Sequence, residues 1–144
     1  MEGYRKPRPF LKTPYSEDFG VISPYGKWLA YESNETGKYE VFVQPFPAGG
    51  RKWQVSTEGG RWPRWSRDGR SLFYRNRNAM MSVSVQLESG SVAKPKSLFE
   101  GSYELIYEVA PDGRFMMMPI YQESAPTEMN LIVNWRDELG RRVK

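Results

Sequence analysis

Ser66-Arg67-Asp68-Gly69-Arg70-Ser71-Leu72-Phe73-Tyr74 is the stretch on which the fold turns. A polar corner is followed at once by an apolar run. Asp68 can accept backbone N–H bonds within the corner, Gly69 tolerates a positive φ, and Leu72-Phe73-Tyr74 suits a pleated, buried surface. The same pattern stands at Ser23-Pro24-Tyr25-Gly26-Lys27-Trp28-Leu29-Ala30-Tyr31 and at Ala110-Pro111-Asp112-Gly113-Arg114-Phe115-Met116-Met117-Met118. The three copies begin 43 and 44 residues apart. A repeat of about 40–45 residues made of strand-like segments is the mark of propeller blades, each a sheet of four strands.

Working outward, each unit reads alike. A first strand precedes the corner: Phe19 to Ile22, Trp62 to Trp65, Leu105 to Val109. The second follows it: Trp28–Tyr31, Phe73–Tyr74, Phe115–Met118. The third is Tyr39–Val43, Met80–Val85 or Asn130–Trp135, and a fourth is Trp53–Val55 or Ser97–Phe99. Met81, Val83 and Val85 alternate with Ser82, Ser84 and Gln86, while other strands are continuous apolar runs, as expected where blades stack on both faces. The run Met116-Met117-Met118 reads as core filler.

The third unit has no fourth strand after Trp135, yet a matching segment, Arg8-Pro9-Phe10-Leu11-Lys12-Thr13, stands at the start. The fold expected is therefore all-β: three four-stranded propeller blades offset by one strand. Residues 1–13 carry a strand for a partner's blade, 14–57 blade one, 58–100 blade two, 101–136 a three-stranded blade three, and 137–144 a tail. Three blades cannot close a ring, for which about four to eight are needed. A C2 homodimer would make a six-bladed β-propeller, with Phe10 and Leu11 of one chain pairing against Leu131, Val133 and Trp135 of the other.

The composition removes much chemistry. The 144 residues contain no Cys and no His, so thiol nucleophiles, thiolate metal sites, His-ligated metals and Ser-His-Asp catalysis are excluded. No cofactor and no metal site is expected. No apolar run of about 18 residues is present for membrane insertion, and residues 1–7 lack the apolar core of a signal peptide. The formal charge of +4 resides at the ends: residues 1–12 carry +3 and 136–144 carry +2, leaving a balanced body, so nucleic acid is not the expected partner.

Ser23-Pro24-Tyr25-Gly26-Lys27-Trp28-Leu29-Ala30-Tyr31 and Ala110-Pro111-Asp112-Gly113-Arg114 resemble the blades of the TolB-like family, also described as WD40-like PD40 repeats. Glu32 to Pro47, Lys52-Trp53-Gln54-Val55-Ser56 and Asn134-Trp135-Arg136-Asp137-Glu138-Leu139 are most similar to the C-terminal propellers of bacterial eukaryotic-like serine/threonine protein kinases. Tyr25, Arg67 and Ala110 depart from the family's Ser-Pro-Asp-Gly corner. The resemblance implies a non-enzymatic module that binds a protein or peptide, or acts as a scaffold.

Arg61, Trp62, Arg64, Trp65, Arg67, Arg70, Arg75 and Arg77 crowd around the second corner. Guanidinium and indole groups suit an anionic or aromatic ligand. The plainer reading packs Trp62 and Trp65 between blades and rings the turns with Arg. Val21, Arg64 and Glu108 align on the first strands, which line a propeller's channel, so Arg64 and Glu108 are expected to pair there or to hold an ion. Arg61, Trp62, Arg64, Tyr103 and Glu108 are thus the candidate ligand-binding residues. Two other classes stay open: a propeller hydrolase or lyase with carboxylates and a metal at the channel mouth, and a half-propeller with no function beyond assembly.

Overall fold

The structure of the chain, a computed structural model, describes residues 6–120 together with the backbone of Asn130–Ile132. Strands β1 (Glu17–Ile22), β2 (Trp28–Ser33), β3 (Glu40–Pro45) and β4 (Trp53–Gln54) form one antiparallel sheet in that order. In the second sheet β5 (Arg61–Trp65), β6 (Ser71–Asn76) and β7 (Ala79–Gln86) follow one another. Its outer edge is made of two pieces, β8 (Ser91–Val92) and β9 (Lys96–Glu100), both paired to β7. Pro95 lies between those pieces and has no N–H for the ladder, which suits a break at an outer edge. The third sheet is β10 (Tyr103–Val109), β11 (Phe115–Pro119) and β12 (Asn130–Ile132). The described residues are all-β, as the corner repeat predicts. No helix among them is long and apolar enough to cross a membrane.

The corners are built as their residues dictate. The N–H groups of Gly26, Gly69 and Gly113 donate to the carbonyls of Ser23, Ser66 and Ala110 at 2.9, 3.0 and 2.9 Å. Each of these glycines has φ between 67° and 86°, a left-handed conformation that a Cβ disfavours. The Asp68 carboxylate accepts from the Ser66 hydroxyl at 2.6 Å and the Arg70 N–H at 3.0 Å.

The register of the third blade differs from a reading aligned on the corners. Val21 pairs with Ala30, Arg64 with Phe73 and Glu108 with Met116. Phe115 therefore occupies the place of Leu29 and Leu72, not that of Trp28 and Ser71: one residue fewer separates corner from strand. The first strands share a second feature. β1 and β5 each carry an irregularity beside a bulky residue at positive φ, Phe19 at 49° and Trp62 at 54°. In β10 the irregularity lies between Tyr103 and Tyr107, and the strand begins two residues before the expected Leu105.

Residues 8–13, expected to act as an outer strand on a second chain, form no strand in the single chain; Phe10 rests with its ring 5.2 Å from Phe46. Of the residues expected to meet them, Val133 and Trp135 lie outside the described residues. Leu131 pairs through its backbone with Met116, and its side chain lies outside them.

Two apolar layers separate the three sheets. Ala30, Val41, Val43 and Val55 meet Leu72, Tyr74, Val83, Val85 and Leu87 between the first and second. Trp62, Phe73, Met80 and Leu98 meet Tyr107, Phe115 and Met117 between the second and third. Trp65 sits at the edge of the first layer, and its indole N–H donates to the Val21 carbonyl at 3.1 Å.

Candidate functional site

The polar chemistry of this chain concentrates where one blade meets the next. Strand alternation sends Ala30 of β2 towards the second blade, and Glu32, two residues on, follows it. The Glu32 side chain is completely buried. Its carboxylate accepts from the Arg61 guanidinium at 2.6 and 3.1 Å and from the Trp62 backbone N–H at 2.9 Å. That N–H belongs to the left-handed residue of β5, so the carboxylate ties down the strand's irregularity. Arg61 also lies 4.1 Å from the Tyr39 ring and 4.5 Å from the Trp62 ring. Its pKa is raised, chiefly by the hydrogen bond to Glu32.

A second buried carboxylate, Glu40 of β3, accepts from the Ser56 hydroxyl, from the Gly59 N–H at 2.9 Å, and lies 3.4 Å from Lys38. The Ser56 hydroxyl oxygen in turn accepts the Val41 N–H at 2.8 Å. A Cβ on Gly60 would lie 2.5 Å from the Ser56 oxygen, so only glycine lets this loop close over the network.

At the second junction Arg75 of β6 holds the place that Glu32 holds at the first, and it too is buried. One guanidinium nitrogen donates to the Arg77 carbonyl at 3.2 Å, while Nε and Nη1 have no hydrogen-bond partner among the described residues. Burial lowers the Arg75 pKa, and among the described residues Tyr107 and Tyr103 act against that shift. Tyr107 donates its hydroxyl proton to the Trp62 carbonyl at 2.8 Å, and burial pushes its pKa far up.

The five candidate ligand residues separate on this geometry. Arg61 and Trp62 belong to the first junction's ion pair and the second junction's apolar layer. Arg64 reaches Glu108 at 3.5 Å, with the Glu108 side chain largely exposed, and lies 5.9 Å from the Tyr107 ring. Tyr103 packs edge-on against Phe99 at the margin of the second junction. The residues that sequence reasoning passed over are Glu32, Glu40, Tyr107 and the buried role of Arg75. Their signal was present: Glu32 and Arg75 are single charges directly following the apolar runs of second strands. Among the described residues no three acidic side chains gather closely enough to hold a metal ion. An open groove of about 920 Å³ runs between the corners of the first two blades, bordered by Tyr25, Trp28, Arg70 and Glu88.

No family model matches the chain, and comparison with curated protein sequences finds no match. Solved structures do match. TolB from Acinetobacter baumannii aligns with a TM-score of 0.59 and 20% identity, covering 85% of this chain and 31% of that one. A protein assigned as TolB in Agrobacterium tumefaciens aligns with a TM-score of 0.58 and 15% identity, covering 85% of this chain and 47% of its own. A luciferin-regenerating enzyme aligns with a TM-score of 0.55 and 13% identity, over 82% and 42% of the two chains. The sequence thus spans less than half the length of each of these structures. Over that span the chain has the fold of TolB-type β-propellers.

Proposed function

We propose that this chain is a non-enzymatic propeller segment, a binding or scaffold module whose three-bladed arc is closed into a six-bladed ring by a second copy. The observation that carries this reading is the outward face of the third blade. Phe115 and Met117 are buried against the second blade, and alternation turns Ile106, Met116 and Met118 to the other side, where they are 63%, 43% and 41% exposed. A sheet face of this composition is what the other junctions of the chain cover with a neighbouring blade. On the first blade, Leu29 and Tyr31 look away from the second blade beneath Phe10 and Leu11. Rotation about a twofold axis brings the two kinds of face together.

The described buried carboxylates support binding rather than catalysis: Glu32 and Glu40 are consumed in hydrogen bonds that join blades and loops. The groove beside Tyr25 and Trp28 lies between two blades of one chain, so ring closure leaves it available to a protein or peptide ligand.

Sedimentation equilibrium tests the ring. The expected result is the mass of two chains, with reversion to one on deletion of residues 1–13 and on Met118→Glu. A single-chain mass for the unaltered protein, at concentrations where it stays folded, would refute closure by a second copy and leave the outer faces to blades of another origin.

A further inference from the structure

The first corner departs from the other two at its acid. At the second and third corners an acid stands two residues before the basic side chain: Asp68 before Arg70, Asp112 before Arg114. Asp68 accepts the Arg70 N–H, and the Asp112 carboxylate lies 2.7 Å from the Arg114 guanidinium. The first corner has Tyr25 in that place, so Lys27 has no acid within its own corner. Tyr25 is 73% exposed, so burial does not account for an aromatic ring there. With Pro24 it leans over the second corner, where the backbone carries Gly69: a Cβ on that glycine would lie 3.6 Å from Pro24 and 3.8 Å from Tyr25. The ring is a wall common to two adjoining grooves. One, of about 920 Å³, is bordered by Trp28 and Arg70; the other, of about 500 Å³, by Arg67 and Pro111. Lys27 enters the larger groove from the first blade and Arg70 from the second, and Asp68 lines both grooves. Beside Lys27, Arg51 lies 5.2 Å from the Trp53 ring, which meets Trp28 edge-on.

We infer, on the reading of this chain as a binding module, that the corner face of its first two blades takes an extended polypeptide whose acidic residues are spaced apart. One ligand carboxylate meets Lys27 and Arg70 in the larger groove, and a second meets Arg67 beyond Tyr25. The faces of Tyr25 and Trp28 supply apolar contact for the residues between. Asp68 stands where the two grooves adjoin, so the ligand is uncharged or basic at that point. The same carboxylate sets a peptide apart from a nucleic acid. Phosphates recur at every nucleotide, and a continuous row of them would meet Asp68 and Glu88 as like charges. Two adjoining open grooves also suit an extended chain better than a compact molecule.

The test is fluorescence anisotropy of the full chain with a labelled hexapeptide, Gly-Glu-Pro-Leu-Glu-Gly, beside its Gln counterpart and hexathymidylate. Saturation by the Glu peptide is expected below about 1 mM, with the Gln counterpart about tenfold weaker. Tyr25→Asp, which restores the acid of the other corners, should weaken the Glu peptide about tenfold. Lys27→Gln and Arg70→Gln should each weaken it about threefold. Lys38→Gln, at the opposite end of the first blade, should leave it unchanged. Tyr25, Lys27 and Arg70 are exposed, so these variants keep the fold, which an unchanged unfolding midpoint verifies. No saturation by about 1 mM, equal affinity of the Gln counterpart, full affinity in both Tyr25→Asp and Arg70→Gln, or tighter binding of hexathymidylate would each overturn the inference. Both grooves lie within one chain. Peptide binding by a chain of single mass therefore counts against ring closure alone, and a two-chain mass without peptide binding overturns the ligand alone.

Discussion

Replacing Glu32 by Ala strikes the link between the first two blades at its centre. The carboxylate is fully buried and accepts three hydrogen bonds. Removing it strands the Trp62 N–H away from water, a loss of about 2 kcal/mol for an unsatisfied buried donor. The Arg61 side chain is 36% exposed and can turn to solvent, so the severed ion pair adds only about 1 kcal/mol. The left-handed Trp62 also loses the acceptor that holds it, and residues in such conformations persist only where the surroundings over-determine them. The expected loss is therefore about 3 kcal/mol, or about 9 °C in unfolding midpoint for a chain of this size. Glu32→Gln keeps an acceptor for Trp62 and should lose about half as much. Urea unfolding followed by tryptophan fluorescence reads both, since Trp62 itself reports on the junction. A loss below about 1 kcal/mol for Glu32→Ala, or equal losses for Ala and Gln, would refute the claim that this carboxylate fixes the irregular strand.

Tyr107→Phe deletes the hydroxyl that donates to the Trp62 carbonyl across the second junction and should lower stability by about 1–2 kcal/mol in the same denaturation assay. Gly60→Ala forces a methyl group against the Ser56 hydroxyl and should lower stability by about 1–3 kcal/mol, with the Val41 and Gly59 amides exchanging faster with deuterium. The Asp68 carboxyl has its pKa lowered, first by the Ser66 hydroxyl and then by the Arg70 N–H. A depressed folded-state pKa gives stability that is complete above the unfolded value and vanishes as pH falls through the folded one. Acid unfolding of the Asp68→Ala variant should therefore be less steep below about pH 4 than that of the unaltered chain.

Corner chemistry and a period made the blades legible, because a turn with Asp and Gly at fixed offsets is a local device that needs no partner to be recognised. The irregular first strands were not legible. Nothing in Glu17-Asp18-Phe19 or Arg61-Trp62-Pro63 announces that a bulky residue will sit at positive φ; the contacts that accompany it, the Trp62 N–H on Glu32 and the Phe19 ring against Trp62, come from another blade. The register of β11 was hidden for a related reason. Arg114-Phe115-Met116 can follow its corner in two registers, and burial of Phe115 between blades decides between them. Arg64 and Glu108, which align on the first strands, meet in the structure, whereas Arg61, a ligand candidate by sequence, is engaged by Glu32. The pairing of Arg61 with a residue of the preceding blade, 29 positions earlier, is a tertiary fact that no local window contains.

One position therefore takes three forms along the chain. The second strand of each blade presents a side chain to the next blade two residues beyond Ala30, Phe73 or Met116. These side chains are Glu32, Arg75 and Met118 in turn. The first is an anion that has its cation, the second a buried cation with no ion pair among the described residues, the third an exposed apolar group. The three differ in what they demand of whatever lies beyond them. An ion pair buried within a chain fixes one geometry, since breaking it strands a charge. A methionine asks only for apolar area, and its flexible thioether tolerates a partner surface it was not folded against. One position per blade thus carries a buried ion pair, a buried guanidinium and an exposed thioether in turn.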